Sequence, residues 1–302
     1  MKNDYCLVIK DLTKSYGAKQ ALAGITLNLE AGEIVGLVGP NGSGKTTLIK
    51  AVMGLIQPTS GSIKIFGKEA KMLSRQERRD VGYIAEEPNL YEFMTVKETI
   101  SFNRGFYPAW DEARCQGLLS RFHLPLDEKV KNLSRGMKTQ LALVLALVPA
   151  PRLLMLDEPL EGLDPLRRIE FINLLLEDFM EHEDRSVVIA SHYLEELERM
   201  ADKIAFIHEG VLKRVAPMEH LQKEEKTIRV VFQKEPPKTL FSMPGIKEVK
   251  REGKQGFLIT VEDNFSAIFE ACSRHPYFVL DIYHRNLEDL FQEYAGGNKD
   301  GP

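Results

Sequence analysis

Three short stretches of the chain are almost wholly apolar, which is the pattern of strands buried on both faces of a sheet. They are residues 34–38, 153–156 and 186–190. Each of these strands is followed by residues with the hydrophobic spacing of a helix, at 48–56, from about 166 and at 194–201. A further helix is expected over 134–149 and a further strand over 203–207. Strands that alternate with helices predict βα units and a mainly parallel sheet.

Other segments have the pattern of exposed or edge elements. Residues 25–29 alternate apolar and polar side chains, as in a half-exposed strand, and 7–10 and 60–67 predict further strands bounded by turns. One of these turns is at Tyr16-Gly17. The middle of the chain, 74–125, is mostly helical by pattern, interrupted by a strand at 81–85 and a turn at Pro88-Asn89.

The pattern of predicted elements changes after Pro217. Short strands are predicted in 225–238, 256–263 and 276–284, with a helix over 265–272. We therefore divide the chain into a first domain, 1–217, and a small α+β accessory domain, 218–302. The tail 296–302, GGNKDGP, is expected to be disordered.

Composition excludes several classes of protein. The chain has 302 residues, and 40 Lys and Arg against 44 Asp and Glu give a net charge of −4. This balance gives no global attraction to nucleic acid or anionic lipid. Three widely spaced cysteines, Cys6, Cys115 and Cys272, argue against a disulfide framework. The N-terminal apolar run is too short for a signal peptide, and no run is long enough for a membrane helix.

The strongest chemical signal follows the first buried strand. A GxxxxGK[ST] motif lies between that strand and a helix, and its glycines let backbone N–H groups point at phosphate oxygens. Lys45 is expected to reach the β- and γ-phosphates and Thr46 to bind Mg²⁺. The predicted phosphate-binding loop consists of Gly39, Pro40, Asn41, Gly42, Ser43, Gly44, Lys45, Thr46 and the adjoining Thr47.

Two acids end the second buried strand. Asp157 and Glu158 follow an apolar run, so they are expected at the carboxyl edge of the sheet, where ligands bind. We predict that Asp157 holds Mg²⁺ and that Glu158 is the base that polarises the attacking water. A third segment, LSRGM at 133–137, precedes a helix, with Ser134 as its N-cap and N–H groups facing an anion.

The order of these motifs resembles the ATP-binding subunit of ABC transporters over residues 5–215. The details SRGMK, EEPNLY and NLEDLFQEYAGG are similar to the bacterial exporter branch with separate ATPase and membrane chains. The resemblance implies an α/β P-loop NTPase of the ABC ATPase type. Such a fold has a mainly parallel core sheet, an antiparallel β subdomain and a helical subdomain, here followed by the C-terminal α+β appendage.

The resemblance also implies roles for individual residues. Tyr16 matches the aromatic residue that stacks on adenine, and His192 matches the switch histidine that contacts the γ-phosphate, with Lys45 and Glu158 as the other catalytic residues. Ser134 and Gly136 match the signature segment. Asp164 matches the loop that touches the opposite subunit's site.

Three positions depart from the family pattern. Glu86 stands where the family usually has a glutamine that contacts Mg²⁺ and the water, and Arg135 and Met137 replace a glycine and a glutamine of the signature. A carboxylate at Glu86 is a good Mg²⁺ ligand but adds negative charge beside the γ-phosphate. We expect these changes to affect coordination and turnover and not nucleotide binding.

The chain has one phosphate-binding loop and one signature, so we expect it to work together with a second ATPase chain. In the family each site joins the loop of one subunit to the signature of the other, so we expect a homodimer or a heterodimer with a related ATPase chain. Membrane subunits would dock near Glu86 and the helical middle, placing the chain in the cytoplasm against the inner face of the membrane. The aromatic residues there form either internal packing or a docking groove: Phe93, Phe102, Phe106, Tyr107 and Trp110.

The leading function is thus an ATPase, using ATP and Mg²⁺, that drives transport through integral membrane subunits, with no nucleic-acid partner. The alternative is a soluble ABC ATPase that acts on ribosomes or DNA. Such proteins usually carry a second ATPase unit or a long coiled-coil insertion, and this chain has neither. The sequence leaves the transported substrate, the choice of homodimer or heterodimer and the role of the C-terminal domain open.

Overall fold

The computed structural model describes residues 5–182, 184–223, 226–284, 287 and 291. The chain forms two compact units that divide between Val215 and Ala216. No described helix combines the length and the apolar character needed to cross a membrane. The predicted disorder of 296–302 concerns residues outside the described part of the chain.

The first unit alternates strands and helices. Its strands are β1 (Tyr5–Tyr16), β2 (Lys19–Glu30), β3 (Ile34–Val38), β4 (Ser60–Ile65), β5 (Lys68–Glu69), β6 (Val81–Ile84), β7 (Leu153–Asp157), β8 (Ser186–Ala190), β9 (Lys203–His208) and β10 (Val211–Pro217). Its helices are α1 (Lys45–Val52), α2 (Arg75–Arg78), α3 (Val96–Arg104), α4 (Glu112–Arg121), α5 (Arg135–Leu147), α6 (Pro165–Glu181) and α7 (Leu194–Met200).

The central sheet has the strand order β10-β9-β3-β8-β7-β6. The pairs from β9 to β6 are parallel, and every residue of β3, β7 and β8 is buried. This confirms the mainly parallel sheet predicted from the three apolar runs. The segments after β3, β6, β7 and β8 therefore meet at one edge of the sheet.

A second sheet is antiparallel, with the order β2-β1-β4-β5. Its first strand is longer than the predicted 7–10, because a register shift near Asp11 interrupts the alternation of apolar and polar residues. Asp11 has a φ of 47°, and its N–H donates to Thr26 Oγ1. One core joins this sheet to α1 and the central sheet; among its members are Leu12, Leu22, Leu48, Leu37 and Met155.

The middle of the chain is less helical than its pattern predicts. Only α2, α3 and α4 form between 74 and 125, because long turns separate them. Ser74 and Thr95 start α2 and α3 with capping boxes, and Asp111 caps α4. The predicted helix 48–56 instead begins at Lys45 and ends at Val52, just before Gly54 with a φ of 70°.

The second unit contains one antiparallel sheet. After α8 (Met218–Lys223), its strands are β11 (Lys226–Phe232), β12 (Ile246–Glu252), β13 (Gly256–Val261) and β14 (Tyr277–His284), with α9 (Phe265–Ser273) before the last. The order β12-β13-β11-β14 is the 4-1-3-2 order of a ferredoxin-like βαββαβ unit, in which a 3₁₀ turn replaces the first helix. Ile228, Val230, Ile259 and Ile268 lie in its core.

Candidate functional site

The phosphate-binding loop connects β3 to α1 and is shaped by its glycines. A Cβ at Gly39 would lie 2.2 Å from the carbonyl oxygen of Ile207, and a Cβ at Gly44 would lie 2.7 Å from that of Ala21. Gly44 also has a φ of 113°, which L side chains rarely adopt. The loop thus keeps a cradle of the size that backbone N–H groups need to surround a phosphate.

Two side chains at the start of α1 are held in place. Lys45 is buried, and its Nζ donates to the carbonyl oxygen of Gly39 at 2.7 Å and lies 3.4 Å from Glu158 Oε1. Thr46 Oγ1 donates to Asp157 Oδ1 at 3.0 Å. The hydroxyl of Ser43 is buried and has no hydrogen-bond partner among the described residues. The predicted ligands of phosphate and Mg²⁺ therefore share one location.

The two acids after β7 differ in their surroundings. Burial raises the pKa of Asp157 to about 6, opposed by the hydrogen bond from Thr46 and reinforced by the charges of Glu86 and Glu158. Within the described part of the chain, Asp157 Oδ2 has no hydrogen-bond partner. A buried carboxylate oxygen beside a threonine hydroxyl suits a hard cation, whose positive charge would offset the repulsion between Asp157 and the neighbouring carboxylates.

Glu158 adopts a left-handed conformation, with a φ of 49°. Its N–H donates to the carbonyl oxygen of Ala190 at 2.9 Å, and its Oε2 accepts hydrogen bonds from the backbone N–H of His192 at 3.2 Å and from His192 Nδ1 at 2.8 Å. Such a conformation costs about 1–2 kcal/mol in a residue with a Cβ. The bonds to β8 and to His192 offset that cost and fix the carboxylate beside Lys45.

Glu86, which follows β6, belongs to the same edge of the sheet. It is exposed, and burial raises the pKa values of both Asp157 and Tyr83, to which the charge of Glu86 adds. Among the described residues no group of three or more His, Cys, Asp or Glu could hold a metal ion by itself. A magnesium ion bound through phosphate and water needs only one or two protein carboxylates, so Asp157 and Thr46 fit that kind of site.

The signature residues lie at a second location. Ser134 caps α5 by accepting a hydrogen bond from Met137 N–H at 3.2 Å, and Asp164 caps α6 through Arg167 N–H at 3.0 Å. A Cβ at Gly136 would lie 3.3 Å from Leu163 Cδ2. The signature helix therefore starts against the loop that precedes Asp164.

Tyr16 is the last residue of β1, and its side chain is exposed. Lys14 Nζ is 4.8 Å from the centre of its ring. An exposed ring at a hairpin end is available for stacking on a base.

The sequence reasoning missed Glu161 and Tyr193. Glu161 Oε2 lies 3.3 Å from His192 Nε2 and accepts a hydrogen bond from the Tyr193 hydroxyl at 3.4 Å. Arg168 in turn lies 3.7 Å from the Tyr193 ring. The available signal was the position of Glu161 three residues after Glu158 in the same turn.

Comparisons with known proteins point to one family. Residues 22–161 match the family model described as ABC transporter. The chain is 34% identical over 224 residues to the ABC transporter ATP-binding protein YtrB of Bacillus subtilis, covering 74% of this chain and 76% of the relative. It is 36% identical over 218 residues to the bacitracin transport ATP-binding protein BcrA of Bacillus licheniformis, covering 72% and 71%.

The structure is also similar to a solved one, described as a dimeric post-hydrolysis state of the ATP-binding cassette MJ0796 bound to ADP and phosphate. The TM-score is 0.64 at 25% identity, covering 70% of this chain and 98% of the other. The fold class predicted from the sequence is thereby confirmed. The chain belongs to the ABC transporter ATP-binding proteins, a family of ATPases.

Proposed function

We propose that this chain binds ATP with Mg²⁺ and hydrolyses it to power transport by separate membrane subunits. The observation that carries the proposal is the contact of Lys45 and His192 with the two oxygens of Glu158, beside the Thr46–Asp157 hydrogen bond. A lysine for binding phosphate, a carboxylate for polarising water and two residues for holding Mg²⁺ thus lie at one edge of the sheet.

Each residue in this arrangement has a separate task. Gly39–Thr47 surround the phosphates, and Tyr16 stacks on the adenine. Thr46 and Asp157, with Glu86 nearby, would hold the ion, which neutralises phosphate charge when bound. Glu158 polarises the attacking water, and His192 orients Glu158 while remaining half-exposed toward the γ-phosphate.

A second ATPase chain completes each site in this proposal. Gly136 of the signature lies against the loop before Asp164, where a Cβ would be 3.3 Å from Leu163 Cδ2, whereas Lys45 and His192 lie beside Glu158. A two-fold dimer would place the signature helix of one chain over the phosphates held by the other. The description of a similar cassette as dimeric supports this arrangement. The partner is a second copy or a related chain.

The membrane partner would dock on an exposed aromatic patch. Tyr91, Phe93, Phe102 and Phe106 are exposed and contact one another, with ring centroids 5.1–5.7 Å apart in successive pairs. Tyr107 and Trp110 are half-buried and contact each other instead. A contiguous exposed aromatic cluster is typical of a protein interface. We place the chain at the cytoplasmic face of the membrane, where ATP is available.

The decisive experiment is Glu158→Gln, with Glu195→Gln as the matched control on an exposed helix position. Loss of the base should reduce ATP hydrolysis by about 10²–10⁴-fold. The variant should still bind ATP and form a dimer at saturating ATP, measured by light scattering, because the cradle and the signature are intact. Hydrolysis at the wild-type rate would refute the role of Glu158, and a monomer would refute the composite site.

Transport coupling is tested separately. Phe93→Ser and Phe102→Ser should abolish copurification with an integral membrane subunit and leave ATP binding unchanged. Retained copurification would remove the aromatic patch as the docking surface, whereas purification with ribosomes or DNA would favour the alternative function.

A further inference from the structure

Glu161 connects the two locations of the candidate site. Its Oε2 faces His192 Nε2 at 3.3 Å and the Tyr193 hydroxyl at 3.4 Å, while its Oε1 lies 3.7 Å from the guanidinium of Arg135. One oxygen of the carboxylate is therefore next to His192 and the other is next to the first residue of the signature helix.

The Arg135 side chain is placed by Gly162. A Cβ at position 162 would lie only 2.7 Å from Arg135 Cδ and 3.1 Å from Cγ, so the arginine stem runs directly over the glycine backbone. Gly162 also has a φ of 77°. Glycine at this position thus allows Arg135 to reach Glu161 across the turn.

These contacts form a continuous path from Glu158 through His192 and Glu161 to Arg135. At one end, His192 Nδ1 bonds to Glu158 at 2.8 Å, and at the other, Arg135 directly follows the helix cap Ser134. We propose that Arg135 and Glu161 are positioning residues: Arg135 orients the Glu161 carboxylate, and Glu161 in turn fixes the His192 ring against Glu158.

This inference rests on the proposed function and extends it to communication between sites. In the proposed dimer, the signature of a chain serves the partner's ATP, whereas its His192 and Glu158 serve its own. Arg135 is half-exposed at the start of α5, so its guanidinium, with five N–H donors, has room to contact a phosphate approaching that helix end while it keeps Glu161. ATP at one site then alters the position of His192 at the other.

A double-mutant cycle with Arg135→Gln and Glu161→Gln tests the link. Each single change should lower kcat about tenfold, which is the lower end of the loss when a group that orients a metal-bound histidine is removed. KM for ATP should change less than about twofold, because neither side chain contacts the phosphate-binding loop in the described contacts. The double variant should be no slower than either single variant, since both changes break one path.

The matched control is Arg152→Gln, which breaks another half-exposed arginine–carboxylate pair, with Asp184 at 3.5 Å. It should leave kcat unchanged, and combined with Glu161→Gln it should add nothing to the loss. If the losses in kcat caused by Arg135→Gln and Glu161→Gln multiply in the double variant, the two residues act independently and the inference is overturned.

A second readout does not depend on hydrolysis. In ¹⁵N-histidine spectra of the nucleotide-free protein, Arg135→Gln should shift the His192 ring resonances, assigned by their loss in His192→Gln, while Arg152→Gln leaves them in place. Unmoved resonances would overturn the inference even in an active enzyme. If the wild-type chain fails to hydrolyse ATP, the proposed function fails, and the spectra still decide whether the path exists.

Discussion

A buried ion-pair cluster between α4 and α6 gives the sharpest stability prediction. Asp178 pairs with Arg185 and with Arg114, and the side chains of Asp178 and Arg185 are 4% and 1% exposed. Arg185 Nε also donates to the carbonyl oxygen of Pro151 at 2.8 Å. Burial lowers the pKa of Arg114, as expected for a cation removed from water. We consider Asp178→Asn, which preserves side-chain volume and removes the charge.

The magnitude follows from burial. Removing the carboxylate takes the ion-pair partner from the buried Arg185 guanidinium and leaves Arg114 with the charges of Glu181 and Asp111. Breaking a buried pair in this way costs about 3–5 kcal/mol. Arg121 and Glu177 supply the control, because they join the same two helices and Glu177 is 56% exposed. Glu177→Gln should cost at most about 1 kcal/mol, since water solvates both groups once the pair is broken.

The assay is urea unfolding of the full chain, followed by circular dichroism. Asp178→Asn should shift the transition of the first unit strongly, and Glu177→Gln should hardly move it. Equal losses for the two variants would refute the reasoning, because only the desolvation of Asp178 separates the two ion pairs. A neutral Asp178→Asn would show that Arg114 and Arg185 find water or other acceptors without the carboxylate.

Three further predictions concern the loop, the metal and the thiols. Gly44→Ala should cost more than about 2 kcal/mol in urea unfolding and abolish ATP binding, because its Cβ meets a backbone oxygen at 2.7 Å, while Gly42→Ala, with nothing within 4 Å, should cost about 1 kcal/mol; equal costs would contradict this. Glu86→Gln should raise the Mg²⁺ concentration needed for half-maximal hydrolysis, and an unchanged titration would exclude Glu86 from the metal site. Burial raises the pKa of all three cysteines to about 11, so native protein should react with a thiol reagent at pH 8 far more slowly than unfolded protein. The unfolded thiols ionise near pH 9, so the stability these groups contribute below that pH should be lost between pH 9 and 11 in urea melts; a flat profile would contradict the shift.

The candidate site was largely predictable because its motifs are local. The phosphate-binding loop needs glycines at fixed spacing between a strand and a helix, and Asp157 and Glu158 end an apolar strand. The sequence does not reveal that Glu161 contacts His192, because the two residues follow different strands. The sequence also does not show that Phe93 is exposed whereas Trp110 is half-buried, since both side chains are hydrophobic.

The sequence by itself determined the buried strands, the helices that follow them and the chemistry at their ends. These features depend on hydrophobic spacing and on residue types that only one backbone conformation accommodates. Only the tertiary structure decided that Arg135, Glu161 and His192 form one path and that Asp178 neutralises two arginines. Such contacts depend on which strands become neighbours and on how much water is excluded, and neither quantity is encoded at a fixed distance along the chain.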